Sequence, residues 1–131
     1  MKKQIAILGS TGSIGTQALQ VIDEHPDLFE AYCLTANNRV KELAEQARRH
    51  NPAAVVIANE DKYEELKSLL ADLPDIKVYA GKQAIDEIVE AGPIDMVLTA
   101  MVGFAGLNPT IHAIKAHRRD AAQRLWLLPE N

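Results

Sequence analysis

The chain has little cysteine. Cys33 is the single one among 131 residues, so no internal disulfide can form and nothing requires an oxidising compartment. It sits in the apolar stretch Ala31-Tyr32-Cys33-Leu34 without an activating neighbour in sequence, the setting of a small core residue rather than a nucleophile. An excess of basic charge is also missing. Fourteen Lys and Arg against eighteen Asp and Glu leave a net charge of −4, which argues against a nucleic-acid partner. The local run His117-Arg118-Arg119 does not reverse this. Nor is there a long hydrophobic run. Ile5-Ala6-Ile7-Leu8, behind Met1-Lys2-Lys3, is four residues long, whereas a signal peptide needs about 7–15 apolar residues and a membrane span about 20. A cytoplasmic chain with no membrane partner is expected. His25, His50, His112 and His117 show no metal-site spacing, and no serine–histidine–acid set stands out. The expected catalytic and metal-ligating residues in this chain are therefore none.

What is present is the material of a folded domain: 47% hydrophobic residues and 24% charged ones. Short β-branched runs alternate with longer amphipathic stretches. Strands are expected at residues 4–8, 29–36, 54–58, 76–80 and 94–99. Helices are expected from about 13 to Pro26, from about 40 to Asn51-Pro52, at 62–72 with Asp61 as cap, at 83–90, and at about 107–115. Strict alternation needs crossover connections. The fold class is therefore α/β: a Rossmann-like, doubly wound, mainly parallel sheet with helices on both faces.

Between the first strand and the first helix stands Gly9-Ser10-Thr11-Gly12-Ser13-Ile14-Gly15, a G-x-x-G-x-x-G spacing. Gly9 permits a tight turn out of the strand. Gly12 has no Cβ, so backbone can approach a pyrophosphate, and Gly15 lets the helix pack close to the sheet. The free N–H groups and dipole of the helix N-terminus favour phosphate charge, and Thr11 and Ser13 add hydroxyls. The second strand then ends Ala36-Asn37-Asn38-Arg39, with no carboxylate before Glu42. A carboxylate there would bind the ribose 2′-hydroxyl of NAD and repel a 2′-phosphate, so its absence and Arg39 together favour NADP. After the fifth strand, Ala100, Met101 and Val102 open a loop with Gly103 and Gly106, and Met101 and Val102 are candidates for an apolar wall beside a nicotinamide ring.

These motifs in combination, Ile7-Leu8-Gly9-Ser10-Thr11-Gly12-Ser13-Ile14-Gly15 with Ala100-Met101-Val102-Gly103-Phe104-Ala105-Gly106-Leu107, resemble the N-terminal cofactor domain of the 1-deoxy-D-xylulose 5-phosphate reductoisomerase family over roughly residues 1–116. The resemblance implies an oxidoreductase of the methylerythritol phosphate pathway. Such an enzyme rearranges 1-deoxy-D-xylulose 5-phosphate and reduces it with NADPH to 2-C-methyl-D-erythritol 4-phosphate, an isoprenoid precursor. It also implies a homodimer with magnesium or manganese in the full-length enzyme. The family's cofactor contacts fall on Thr11, Gly12, Ser13 and Ile14, and on Asn37, Asn38 and Arg39. At the latter three the family often carries glycine, a basic residue and asparagine, from which this sequence departs.

A larger departure follows residue 116. Residues 117–131 lack the family's Asn-Lys-Glu segment, and the metal-binding carboxylates that come later in the family are absent too. A one-frame re-reading of permissive codons for 125–131 gives a Leu-Val-Ala-Ala-Gly-Glu-like string similar to what the family carries next. The tail is thus expected to be truncated, foreign or frame-shifted. Leu125, Trp126, Leu127 and Leu128 are not expected to pack as the native strand would, and could order instead by swapping onto a neighbouring chain. The chain alone is expected to be inactive. Two other classes fit the residues less well. A semialdehyde dehydrogenase or epimerase cofactor domain would need a nucleophilic cysteine or a Tyr-x-x-x-Lys pair, and Tyr63 to Lys67 has that spacing on the wrong element. A non-catalytic nucleotide-sensing module is the other alternative, which a binding partner or a ligand-linked change in assembly would reveal.

Overall fold

The computed structural model describes residues 2–99 and the backbone of 125–127. Six strands form one sheet: β1 (Lys3–Leu8), β2 (Phe29–Ala36), β3 (Ala54–Ile57), β4 (Lys77–Ala80), β5 (Met96–Thr99) and β6 (Leu125–Leu127). Their order is β4-β3-β2-β1-β5-β6, and every neighbouring pair is parallel. The connecting helices are α1 (Ser13–Glu24), α2 (Val40–His50), α3 (Tyr63–Leu69) and α4 (Lys82–Ile88).

Strand side chains alternate between the two faces. Ile5 and Ile7 join Leu19, Ile22, Leu43, Ala47 and Leu66 in a core under α1, α2 and α3. Ala6 and Leu8 join Val56, Ile85, Val89 and Val97 in a second core under α4. This two-sided burial explains why the strands read as continuous apolar runs. The register of β1 on β2 slips between Ile5 and Ala6, which pair with Ala31 and Cys33, so Tyr32 has no partner on β1.

The order reverses between β1 and β5: the chain runs outward from β1 through β2, β3 and β4, then returns to β5 on the other side. Such a switch point leaves a crevice at the carboxyl ends of the strands, where ligands of doubly wound sheets bind. Leu8, the last residue of β1, is in register with Thr99, the last of β5.

Two expectations are corrected. Asp61 does not cap a helix with its side chain; Asn59 Oδ1 accepts the Asp61 N–H at 3.0 Å and starts a 3₁₀ turn, Glu60–Lys62, ahead of α3. Asparagine two residues upstream of the first free N–H reaches it more directly. The backbone of Leu125–Leu127 does take a place in the sheet, pairing Leu125 with Val97, Trp126 with Leu98 and Leu127 with Thr99. An unpaired β5 edge presents a row of backbone donors and acceptors that a short strand satisfies. The helix expected at 107–115 and the domain boundary at 116 lie outside the described residues.

Candidate cofactor site

The glycine loop leaves β1 at the switch point. Gly9 has φ +83°, a left-handed conformation that suits glycine. Its N–H donates to Thr35 Oγ1 at 3.0 Å, and the Ser10 N–H donates to the Thr35 carbonyl at 2.8 Å. Ser10 is fully buried; its hydroxyl donates to Gln46 Oε1 at 2.7 Å, and Gln46 Nε2 donates back to the Ser10 carbonyl at 2.9 Å. The loop is thus fastened to β2 and to α2 before any ligand arrives.

The two later glycines differ in kind. A Cβ on Gly15 would overlap the Gly9 carbonyl oxygen and lie 2.6 Å from Ser10 Cα, so glycine is what lets α1 seat against the loop. Among the described residues, a Cβ on Gly12 would meet only the Gly9 oxygen at 3.7 Å, an ordinary contact, and the Gly12 φ of −78° suits any residue. Nothing among the described residues demands glycine at 12. The missing side chain leaves that space clear of the described residues, as a bound phosphate needs.

Gly12 is also the N-cap of α1, with no side-chain cap and no acidic residue in the first turn. The N–H groups of Ser13, Ile14 and Gly15 have no intrahelical acceptor, so they and the helix dipole present positive potential to the loop. Thr16 faces the other way, bonding the Gly12 carbonyl through its N–H at 2.8 Å and its hydroxyl at 2.6 Å.

At the end of β2, Ala36 is buried while Asn37, Asn38 and Arg39 are exposed. Arg39 Nη1 donates to the Thr11 carbonyl at 3.1 Å, which holds the guanidinium beside the glycine loop. Thr99, at the end of β5, is 3% exposed, and its hydroxyl has no hydrogen-bond partner among the described residues. A buried hydroxyl without a partner costs about 1–3 kcal/mol, and this one stands in register with the residue that precedes the loop.

Of the sequence-derived candidates, the structure brings together Gly9, Thr11, Gly12, Ser13, Ile14, Gly15, Asn37, Asn38 and Arg39 at one end of the sheet. Ser10 is in the loop but turned into the protein, as scaffold. Ala100, Met101 and Val102 lie outside the described residues. The sequence reading missed Thr35, Gln46, Asn59 and Thr99. A polar Thr35 in an otherwise apolar strand and a neutral Gln46 between the inward-facing Leu43 and Ala47 were the available signals.

Among the described residues of the site, no acid–base pair or activated nucleophile is assembled. The Cys33 thiol is pushed up to about 12 by complete burial. Among the described residues no three His, Cys, Asp or Glu side chains gather to hold a metal ion, and no helix is long and apolar enough to cross a membrane.

A sequence profile for 1-deoxy-D-xylulose 5-phosphate reductoisomerase matches residues 5–122. The chain is 74% identical over 120 residues to the enzyme of that name from Bacteroides thetaiotaomicron, covering 92% of this chain and 30% of the relative. It is 60% identical over 121 residues to the Porphyromonas gingivalis enzyme, covering 92% of this chain and 31% of that one. Among solved structures, a DOX-P reductoisomerase in complex with magnesium superposes with a TM-score of 0.88 at 32% identity, covering 98% of this chain and 31% of that chain. The Zymomonas mobilis 1-deoxy-D-xylulose 5-phosphate reductoisomerase in complex with NADPH gives 0.83 at 37% identity, covering 88% and 30%. The chain therefore spans about 30% of the length of the relatives it matches.

Proposed function

The chain belongs to the 1-deoxy-D-xylulose 5-phosphate reductoisomerase family, and from that membership we propose that it is the NADPH-binding domain of such an enzyme. The observation that carries the reading is Gly12. The described residues leave this position free to hold a side chain, yet it holds none, at an uncapped helix N-terminus on the switch point. The residues fit the cofactor. The N–H groups of Ser13, Ile14 and Gly15 take the pyrophosphate, and the Thr11 and Ser13 hydroxyls add donors. Arg39, Asn38 and Asn37 take the ribose 2′-phosphate, with Ala36 beneath them. Ala100, Met101 and Val102 are assigned to the nicotinamide from the sequence alone, and the Thr99 hydroxyl, without a partner among the described residues, supplies a donor near the loop.

When bound, the dihydronicotinamide supplies a hydride. What this chain contributes is position: it fixes the cofactor by its phosphates and leaves the reactive ring at the carboxyl edge of the sheet. The whole enzyme would rearrange 1-deoxy-D-xylulose 5-phosphate and reduce it to 2-C-methyl-D-erythritol 4-phosphate, in the cytoplasm and as a homodimer. The described residues do not fit the magnesium or manganese that such an enzyme uses, so no part of the metal chemistry is assigned to them. Residues 1–116 form the cofactor domain in this reading, and 117–131 an atypical tail.

The test is a titration of the chain with NADPH and with NADH, followed by nicotinamide fluorescence. Saturable binding with a preference for NADPH of about tenfold supports the reading. Equal affinities, or no binding of either nucleotide, overturn it.

A further inference from the structure

Two hydrogen bonds in series fix which way an exposed amide faces at the end of β2. The Asp61 backbone N–H can only donate, and it donates to Asn59 Oδ1 at 3.0 Å. Asn59 is thereby turned so that its nitrogen faces Asn38, and Asn59 Nδ2 donates to Asn38 Oδ1 at 2.7 Å. The Asn38 oxygen is engaged on the Asn59 side, so Asn38 Nδ2, with two N–H groups, is the prong directed away from it. The support is rigid. The Asn59 N–H donates to the Asn37 carbonyl at 3.0 Å, the Ala58 N–H to the Ala36 carbonyl at 2.8 Å, and the Val40 N–H to the Asn38 carbonyl at 2.8 Å. Asn59 is half-buried, whereas Asn38 is exposed beside Arg39.

A ribose hydroxyl both donates and accepts, so it can use either prong of an amide. A phosphate mainly accepts, and it discriminates between them. We infer that Asn59 is a positioning residue for cofactor choice: it locks the Asn38 side chain with its donors outward, toward a 2′-phosphate. This rests on the NADPH reading above. It adds that the choice depends on a residue in the loop after β3 that need not touch the nucleotide.

The experiment measures NADPH and NADH affinities for the chain and two variants, with circular dichroism to verify folding. Asn59→Ser keeps an oxygen for the Asp61 N–H and removes the nitrogen that locks Asn38. NADPH affinity should fall about fivefold, the worth of one ordinary hydrogen bond, while NADH affinity stays unchanged. Asn59→Asp offers only acceptors, so Asn38 turns its nitrogen inward and its oxygen outward, and the preference should fall by about tenfold or more. A folded variant that keeps the wild-type preference overturns the inference, as does an equal loss for both nucleotides, which is the mark of a purely structural role. If Asn59→Asp fails to fold, Asn59→Ser decides alone. A wild-type chain without any preference overturns the cofactor reading and this inference with it.

Discussion

Ser10 and Gln46 hold each other by two hydrogen bonds, hydroxyl to side-chain oxygen at 2.7 Å and side-chain nitrogen to backbone carbonyl at 2.9 Å. The pair joins the glycine loop to α2 across 36 residues of sequence. Gln46→Ala would leave a buried hydroxyl and a carbonyl with fewer partners. The expected cost is about 1–2 kcal/mol of stability. NADPH and NADH should weaken together, because the clamp supports the pyrophosphate and not the 2′-phosphate. Urea denaturation and the paired titrations check both halves; a loss confined to NADPH would contradict the assignment.

Gly12 and Gly15 are expected to separate binding from folding. Gly15→Ala drives a methyl group into the Gly9 and Ser10 backbone and should cost about 1–3 kcal/mol or more in stability. Gly12→Ala meets only ordinary contact among the described residues, and as a change of N-cap from glycine to alanine it should cost at most about 1 kcal/mol. Yet Gly12→Ala should abolish measurable nucleotide binding, because its methyl group occupies the phosphate's space. Thermal melting with and without NADPH distinguishes the two.

Arg39→Leu removes the guanidinium held against the Thr11 carbonyl. Loss of a charge-assisted contact to phosphate should lower NADPH affinity by about tenfold and leave NADH within about twofold. The wild-type preference should also shrink as salt is raised, since the guanidinium is exposed and screened. Titrations at two ionic strengths test this.

His50 closes α2, with a side chain only 7% exposed and Nδ1 3.3 Å from Asp23 Oδ1. Burial lowers its pKa below 6.5 and outweighs the Asp23 carboxylate, which acts to raise it, while Arg49 lowers it further. The unfolded chain therefore takes up a proton on His50 at higher pH than the folded one. The stabilisation is complete above about pH 6.5 and is lost as pH falls through the folded-state value. The stability difference between wild type and His50→Gln, measured in urea from pH 8 down to pH 5, should shift against the wild type as pH drops. A constant difference would contradict the shift.

Most of the fold was legible because a parallel sheet buried on both faces writes its strands as apolar runs, as in Ile5 to Leu8 and Ala54 to Ile57, separated by helical stripes. Gly9, Gly12 and Gly15 were legible because the turn and the close helix approach leave few alternatives to glycine at two of them. The partners of the loop were not. Thr35, Gln46 and Asn59 act across 21 to 36 residues of sequence, and nothing local marks which polar side chain meets which. The reading of Leu125, Trp126 and Leu127 failed for a related reason. It weighed what the segment was not, whereas the edge of β5 accepts a short strand by its backbone, with little regard to which residues carry it.

The bonds from Gly9 and Ser10 to Thr35, and from Gln46 to Ser10, also bear on how fast the nucleotide arrives. A loop already in its final shape has no slow rearrangement to complete after encounter. Association should then follow a single exponential whose rate rises linearly with nucleotide concentration, without a plateau set by loop closure. Differences in affinity between NADPH and NADH would be carried by how long each one stays.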